Sequence, residues 1–178
     1  MLRADAQRNL DRVKAAALEV FRERGLEAPL EEIARRAGVS VGTLYNRVGS
    51  REALIDAVIP ELAGANVDGI SRAALAVDDP WQRVVQYFTG LLEMQIADPA
   101  LSDAIARSHP GSPELAAVCD RALDEGAGLL DAARSGGGAP FGRDDLGALL
   151  VANGALVRLG GEDAARRILA ALLEGLRP

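Results

Sequence analysis

In the stretch GVSVGTLYNRVGSREAL, from Gly38 to Leu54, small and polar side chains crowd a segment too short to build much core. Thr43 and Asn46 carry the hydroxyl and amide groups that meet base edges in a DNA major groove. Arg47 suits a guanine or a phosphate, and Gly42 lets a backbone approach closely. Ser50 and Arg51 open the next helix, where a guanidinium and free N–H groups can hold a phosphate. Only Leu44 reads as a firm apolar anchor. Val41, Gly42, Thr43, Tyr45, Asn46 and Arg47 are left facing largely outward, as a helix that reads DNA requires.

Other residues capable of chemistry stand alone. His109, the sole histidine, has no second His or Cys at metal-ligand spacing. Cys119, the sole cysteine, lies on an apolar helical face, where a thiol is inert. The loop SGGGAPFG (135–142) lacks the Lys-Ser/Thr pair of a phosphate-binding loop. The acidic pairs Asp78-Asp79 and Asp144-Asp145 read as helix N-terminal residues rather than acid/base machinery. The expectation is therefore neither an enzyme nor a metal or cofactor protein.

The elements that must position the 38–54 segment are helices. Apolar spacing has the 3.6-residue period throughout, with no sustained alternation, so the chain is expected to be all-α. The first helix is expected from about Arg8 to Arg24, closed by Gly25 with Leu26 as its apolar contact. Leu30, Ile33, Ala34 and Ala37 make a two-turn amphipathic helix that ends at Gly38. Val39 fills the angle of a tight turn, and Ser40 caps the short helix that follows. A fourth helix starts at Arg51 behind Ser50 and is expected to end near Ala63, with a weaker helical segment, interrupted by Gly64 and Gly69, running on to Val77. Two helices joined in this way form a helix-turn-helix. Such shapes also occur in helical proteins that touch no DNA, so geometry alone leaves both readings open.

Composition sets the outer bounds. The chain has 178 residues, 49% of them apolar, which excludes general disorder. Aromatics at 3% mean cores of Leu, Val, Ile and Ala, which favours helices over sheets. The net charge is −6, but residues 1–63 balance ten basic against ten acidic groups, and all the excess acid falls in 64–178. An acidic body repels DNA except where local arginines outweigh it. The charged N-terminus has no signal-peptide core, and LGALLVANGALV is too short to span a bilayer. A cytoplasmic location is expected.

Residues 8–58 resemble the DNA-binding domain of the TetR family of bacterial repressors. AALEVFRERG is similar to the end of that family's first helix, and LEEIARRAGVSVGTLYNRVGSREALIDAV to its helix-turn-helix and fourth-helix entry. The resemblance implies backbone contacts from Thr43, Tyr45 and Arg51, and base or nearby phosphate contacts from Val41, Gly42, Asn46 and Arg47. It also implies a phosphate or minor-groove contact from Arg8, and Ser40, the cap of the short helix, is a further DNA-binding candidate. The sequence departs from the pattern where Val48 replaces a common Phe and Arg51 a common Lys. Pro29 and Leu30 stand where a capping Thr is usual.

The same resemblance divides the chain into a DNA-binding domain, 1–50 with the connecting helix 51–63, and an effector-binding and dimerisation domain, 64–178. It implies a homodimeric, ligand-responsive repressor on a palindromic operator. Two leucine-rich stripes at the C-terminus are the candidate dimer interface: Leu146, Leu149, Leu150, Asn153 and Val157 on one helix, Ile168, Leu169, Leu172, Leu173 and Leu176 on the other. Asn153 in the first stripe could fix dimer register, face a ligand or find a backbone partner. Candidate effector contacts are Trp81, Tyr87, Phe88, Met94, His109, Cys119 and Asn153, which point to a lipophilic compound. The competing reading is a helical protein-interaction module that keeps the helix-turn-helix but has lost operator binding.

Overall fold

The computed structural model describes residues 2–106, 112–134 and 141–178, and every regular element among them is an α-helix. In chain order these are α1 (Leu2–Arg24), α2 (Leu30–Ala37), α3 (Val41–Val48), α4 (Arg51–Leu75), α5 (Pro80–Ala97), α6 (Pro99–Ala106), α7 (Pro113–Ala133), α8 (Arg143–Arg158) and α9 (Glu162–Leu176). None of the described helices is long and apolar enough to cross a membrane.

Helix starts follow local chemistry. Ser40, Ser50, Asp79 and Ser112 each stand in extended backbone and accept a hydrogen bond from an N–H three residues on. Pro29 precedes α2 with no side-chain cap. On α1, Val13, Ala17, Val20 and Phe21 are completely buried on one face. Gly25 closes that helix at φ +79°, a left-handed conformation that glycine takes without steric cost.

Two expected boundaries shift. The first helix begins at Leu2 rather than near Arg8. The fourth does not end near Ala63 but runs unbroken for 25 residues to Leu75, with Pro60, Gly64 and Gly69 inside it. Each interior glycine disfavours a helix by about 1 kcal/mol. Burial of Ala63, Val67 and Ala74 outweighs that penalty.

Two cores result. The first gathers α1, α2, α3 and the start of α4, and it takes in Ala100, Leu101 and Ala104 of α6 together with Leu115 of α7. The second is built from α5, α8 and α9 with Ala74 of α4 and Leu130 of α7. Helix α6 is therefore buried in the same core as the helix-turn-helix, although it lies far along the chain.

Candidate nucleic-acid interface and inner cavity

The turn between α2 and α3 is set by Gly38, at φ +68°, whose N–H reaches Arg35 O at 3.2 Å while Val39 N reaches Ala34 O at 3.0 Å. Ser40 then starts α3. Its Oγ accepts from Thr43 N at 3.1 Å and shares a hydrogen bond with Thr43 Oγ1 at 2.8 Å. Leu44 is the buried anchor of α3, with Val41 and Val48 half-buried against the first core. Ser40, Gly42, Tyr45, Asn46 and Arg47 are exposed, Tyr45 at 47%. Among the described residues, no side chain of this protein holds the Tyr45 hydroxyl, the Asn46 amide or the Arg47 guanidinium. The polar ends of the helix remain available to a partner.

Nearby arginines are occupied. Arg36 makes a two-point contact with Glu23 at 2.8 and 2.9 Å, and its hydrogen bond holds the Glu23 carboxyl below its ordinary pKa. Arg24 meets Glu32 at 2.7 Å. Pairs with exposed arginines add little stability, but they offset the charges of Glu23 and Glu32. Arg8 lies exposed on α1.

Arg51, expected to contact a phosphate, also has partners within the chain. Its Nη1 donates to the carbonyls of Leu26 at 2.8 Å and Ala28 at 2.6 Å. The side chain thus closes the loop between α1 and α2, and α4 is locked to the rest of the head. A guanidinium serves two carbonyls at once because its donors diverge in a plane. A loop carbonyl partner lies 23 or 25 residues away and leaves no mark on local sequence.

The model for bacterial regulatory proteins of the tetR family matches residues 14–58, the segment containing this turn and its supports. The protein is 31% identical to the TetR transcriptional regulator SCO0520 of Streptomyces coelicolor, covering 94% of this chain and 98% of that one, with a TM-score of 0.58. The chain belongs to the TetR family. A curated relative, the uncharacterized HTH-type transcriptional regulator YvdT of Bacillus subtilis, is 33% identical over 72 residues, 40% of this chain and 37% of its own length. The chain therefore matches little more than a third of that relative. FadR of Bacillus subtilis, solved in complex with stearoyl-CoA, shares the fold at 15% identity, with 94% and 100% of the two chains covered and a TM-score of 0.67. TetR-family proteins are DNA-binding transcriptional regulators rather than enzymes.

Beyond the head, this TetR-family chain has a cavity of about 550 Å³ between α4, α5, α6, α7 and α8, with the exposed Asp120 and Val151 at its border. Met94 and Cys119 line it, as do Leu91, Leu101, Leu115 and Leu123. Burial, with Asp120 adding, holds the Cys119 thiol above its ordinary pKa, so it stays protonated and inert at neutral pH. The other effector candidates lie elsewhere. Tyr87 and Phe88 are second-core residues; the Tyr87 hydroxyl donates to Ala122 O at 2.9 Å, and burial raises its pKa beyond the usual phenol range. Trp81 is half-buried in a groove between α5 and α9. Asn153 is buried outside the lining, and His109 falls outside the described residues. An aromatic at helical spacing serves a core or a cavity equally well, so spacing cannot separate the two. The aliphatic lining left no signal distinct from core.

The proposed dimer stripes split. Leu146, Leu150, Asn153, Leu169, Leu173 and Leu176 are buried within the protomer, so these six cannot present an intersubunit surface. Leu149, Val157 and Leu172 are half-buried. Ile168 is 49% exposed, and Leu159 at 86% and Val151 at 40% join it as exposed apolar groups that the stripes had missed.

Helix α6 connects cavity and head. Leu101, Ala104 and Ile105 form cavity wall. On the same helix, Asp103 Oδ2 accepts from Leu26 N at 2.9 Å, and Asp98, at its N-cap, meets Arg22 Nε at 2.8 Å. Leu26 is thus held at its N–H by α6 and at its carbonyl by Arg51 of α4.

Proposed function

We propose that the protein is a ligand-responsive, homodimeric repressor that inserts α3 into the major grooves of a roughly palindromic operator. The observation that carries this reading is the exposure of Tyr45, Asn46 and Arg47 on a helix whose buried anchor is Leu44. Two copies would place their α3 helices one turn of DNA apart, roughly 34–36 Å. A gel shift with the DNA flanking its own gene tests it. Absence of any sequence-selective complex would favour a protein-interaction module instead. Asn46→Ala should relax discrimination at particular operator positions by about 1–3 kcal/mol, read by selection from random sequences. Arg47→Ala should flatten the dependence of log affinity on log salt by about 0.9 if it holds one phosphate.

The dimer surface is the outer side of α8 and α9, around Ile168, Leu172 and Leu159. A stable interface needs about 1,000 Å² or more, and charges at its centre disrupt it. Ile168→Glu with Leu172→Glu is expected to yield a monomer by sedimentation at micromolar concentration while circular dichroism shows the helical fold retained. An unchanged dimer mass would place the interface elsewhere.

The effector site is the cavity among α4–α8. FadR, solved with stearoyl-CoA, supports a ligand role for a body of this fold. An occupant pressing on Leu101 and Ile105 would move α6, and Asp103 with Arg51 would pass that shift through Leu26 to α4. A ~100-fold loss of operator affinity needs about 2.7 kcal/mol of preference for the non-binding state.

A further inference from the structure

The cavity among α4–α8 is apolar almost throughout, and the exception stands at its border. Leu, Val, Ile, Ala and Met side chains make the walls with the Cys119 thiol, and Asp120 is the one charged residue among the described residues that line it. Asp120 on α7 and Val151 on α8 are both exposed, so the carboxylate stands where the cavity meets solvent between these helices. Asp120 Oδ1 meets Arg143, whose Nε donates to Asp124 Oδ1 at 2.7 Å and whose Nη1 lies 4.0 Å from Asp144 Oδ1. One guanidinium thus serves three carboxylates, and two negative charges remain in excess at the border. The field of Asp120 reaches the wall, where it adds to burial in holding the Cys119 thiol above its ordinary pKa.

We propose that the effector site takes a lipophilic cation of the alkylammonium type, with its aliphatic part inside the cavity and its positive head at Asp120. The proposal rests on the cavity being the effector site. A volume of about 550 Å³ lies within the range of small-molecule sites, ~300–1,000 Å³, and the aliphatic lining suits an alkyl body. A polar head carried deeper would lose its water to walls whose backbone groups are already bonded within helices, so the head stays at the border. There an anion is repelled by the excess of carboxylates, a neutral head gains no charge contact, and a cation is attracted. Arg143 offers an anion little, because Asp120 and Asp124 already occupy its donors. The net charge of residues 64–178 has the same sign and draws cations toward this body.

Calorimetric titration of the full-length protein with decylammonium, decanol and decanoate at physiological ionic strength tests this. Decylammonium is expected to bind at least about threefold more tightly than decanol and at least about tenfold more tightly than decanoate. Asp120→Asn is expected to lower the ammonium-to-carboxylate ratio by at least about fourfold. Asp131→Asn makes the same change of net charge roughly 16 Å further along α7, beyond the screening length, and should leave the ratio within about twofold. Gly147→Leu fills a wall position where a first side-chain carbon comes no nearer than 3.8 Å to Leu123. It is expected to weaken all three probes by at least about fivefold and to keep their order. Ligand-free melting confirms that each variant folds; should one not, the order of the three probes on the wild-type protein decides. Decanol or decanoate matching decylammonium, or a preference untouched by Asp120→Asn, would overturn the charge assignment and leave the cavity reading intact. Decylammonium binding undiminished in Gly147→Leu would place the amine outside the cavity and overturn the proposal. Binding of none of the three probes would overturn the proposal and the cavity reading together.

Discussion

Arg51→Ala is expected to destabilise the helix-turn-helix head by about 2–4 kcal/mol and to abolish operator binding. The variant loses both hydrogen bonds to the Leu26 and Ala28 carbonyls. Neither carbonyl is bonded to a backbone N–H among the described residues, and both residues are buried. Each buried carbonyl left without its charged donor costs about 1–3 kcal/mol, and less where water can replace the side chain. For a domain whose total stability is about 5–15 kcal/mol, that is a large share. Urea unfolding followed by circular dichroism measures it, and Arg51→Lys should fall between the two because the shorter lysine keeps a charged donor but reaches the two carbonyls less well. Operator titrations at several salt concentrations separate this role from a phosphate contact. A variant of unchanged stability whose salt slope drops by about one would return Arg51 to the DNA backbone.

The second large effect is expected from Asp103→Ala. Removing the carboxylate leaves the N–H of the fully buried Leu26 without its partner, a loss of about 1–3 kcal/mol. Amide exchange at Leu26 should accelerate well beyond that of α3. The consequence for regulation is larger than that for stability. With the α6 tie cut, an effector that still raises the melting temperature should weaken operator binding by less than about tenfold, not ~100-fold. Gly25 adds to this joint, since a side chain there would run into the Asp103 carboxylate. Full effector response in Asp103→Ala would show that the signal reaches α4 by another route, such as its long contact with α5 and α7.

Much of the head was legible in the sequence because its determinants are local. Ser40 and Ser50 cap helices by reaching three residues ahead, and Gly38 turns the chain where only a residue tolerant of positive φ fits. The spacing of Leu30, Ile33, Ala34 and Ala37 placed the buried face of α2. The fate of the Arg51 side chain was not legible, because its partners lie across the loop between α1 and α2. The full length of α4 was obscured for a related reason: glycines weaken a helix by propensity, while its buried contacts come from α5 and α7.

The C-terminal body shows the same limit more sharply. Ile168, Leu169, Leu172, Leu173 and Leu176 form a stripe wider than one packing surface, so helical phase alone does not say which part is covered. Packing turns Leu169, Leu173 and Leu176 inward and leaves Ile168 exposed. By itself, the sequence determined the all-α class, the helix-turn-helix and the residues on its outward face, since these follow from spacing and capping within a few turns. Only the tertiary structure decided which leucines belong to the protomer's core, which residues line the cavity, and that α6 is tied to the head. Those outcomes depend on contacts such as Asp103 with Leu26, 77 positions apart, for which a helix carries no local trace.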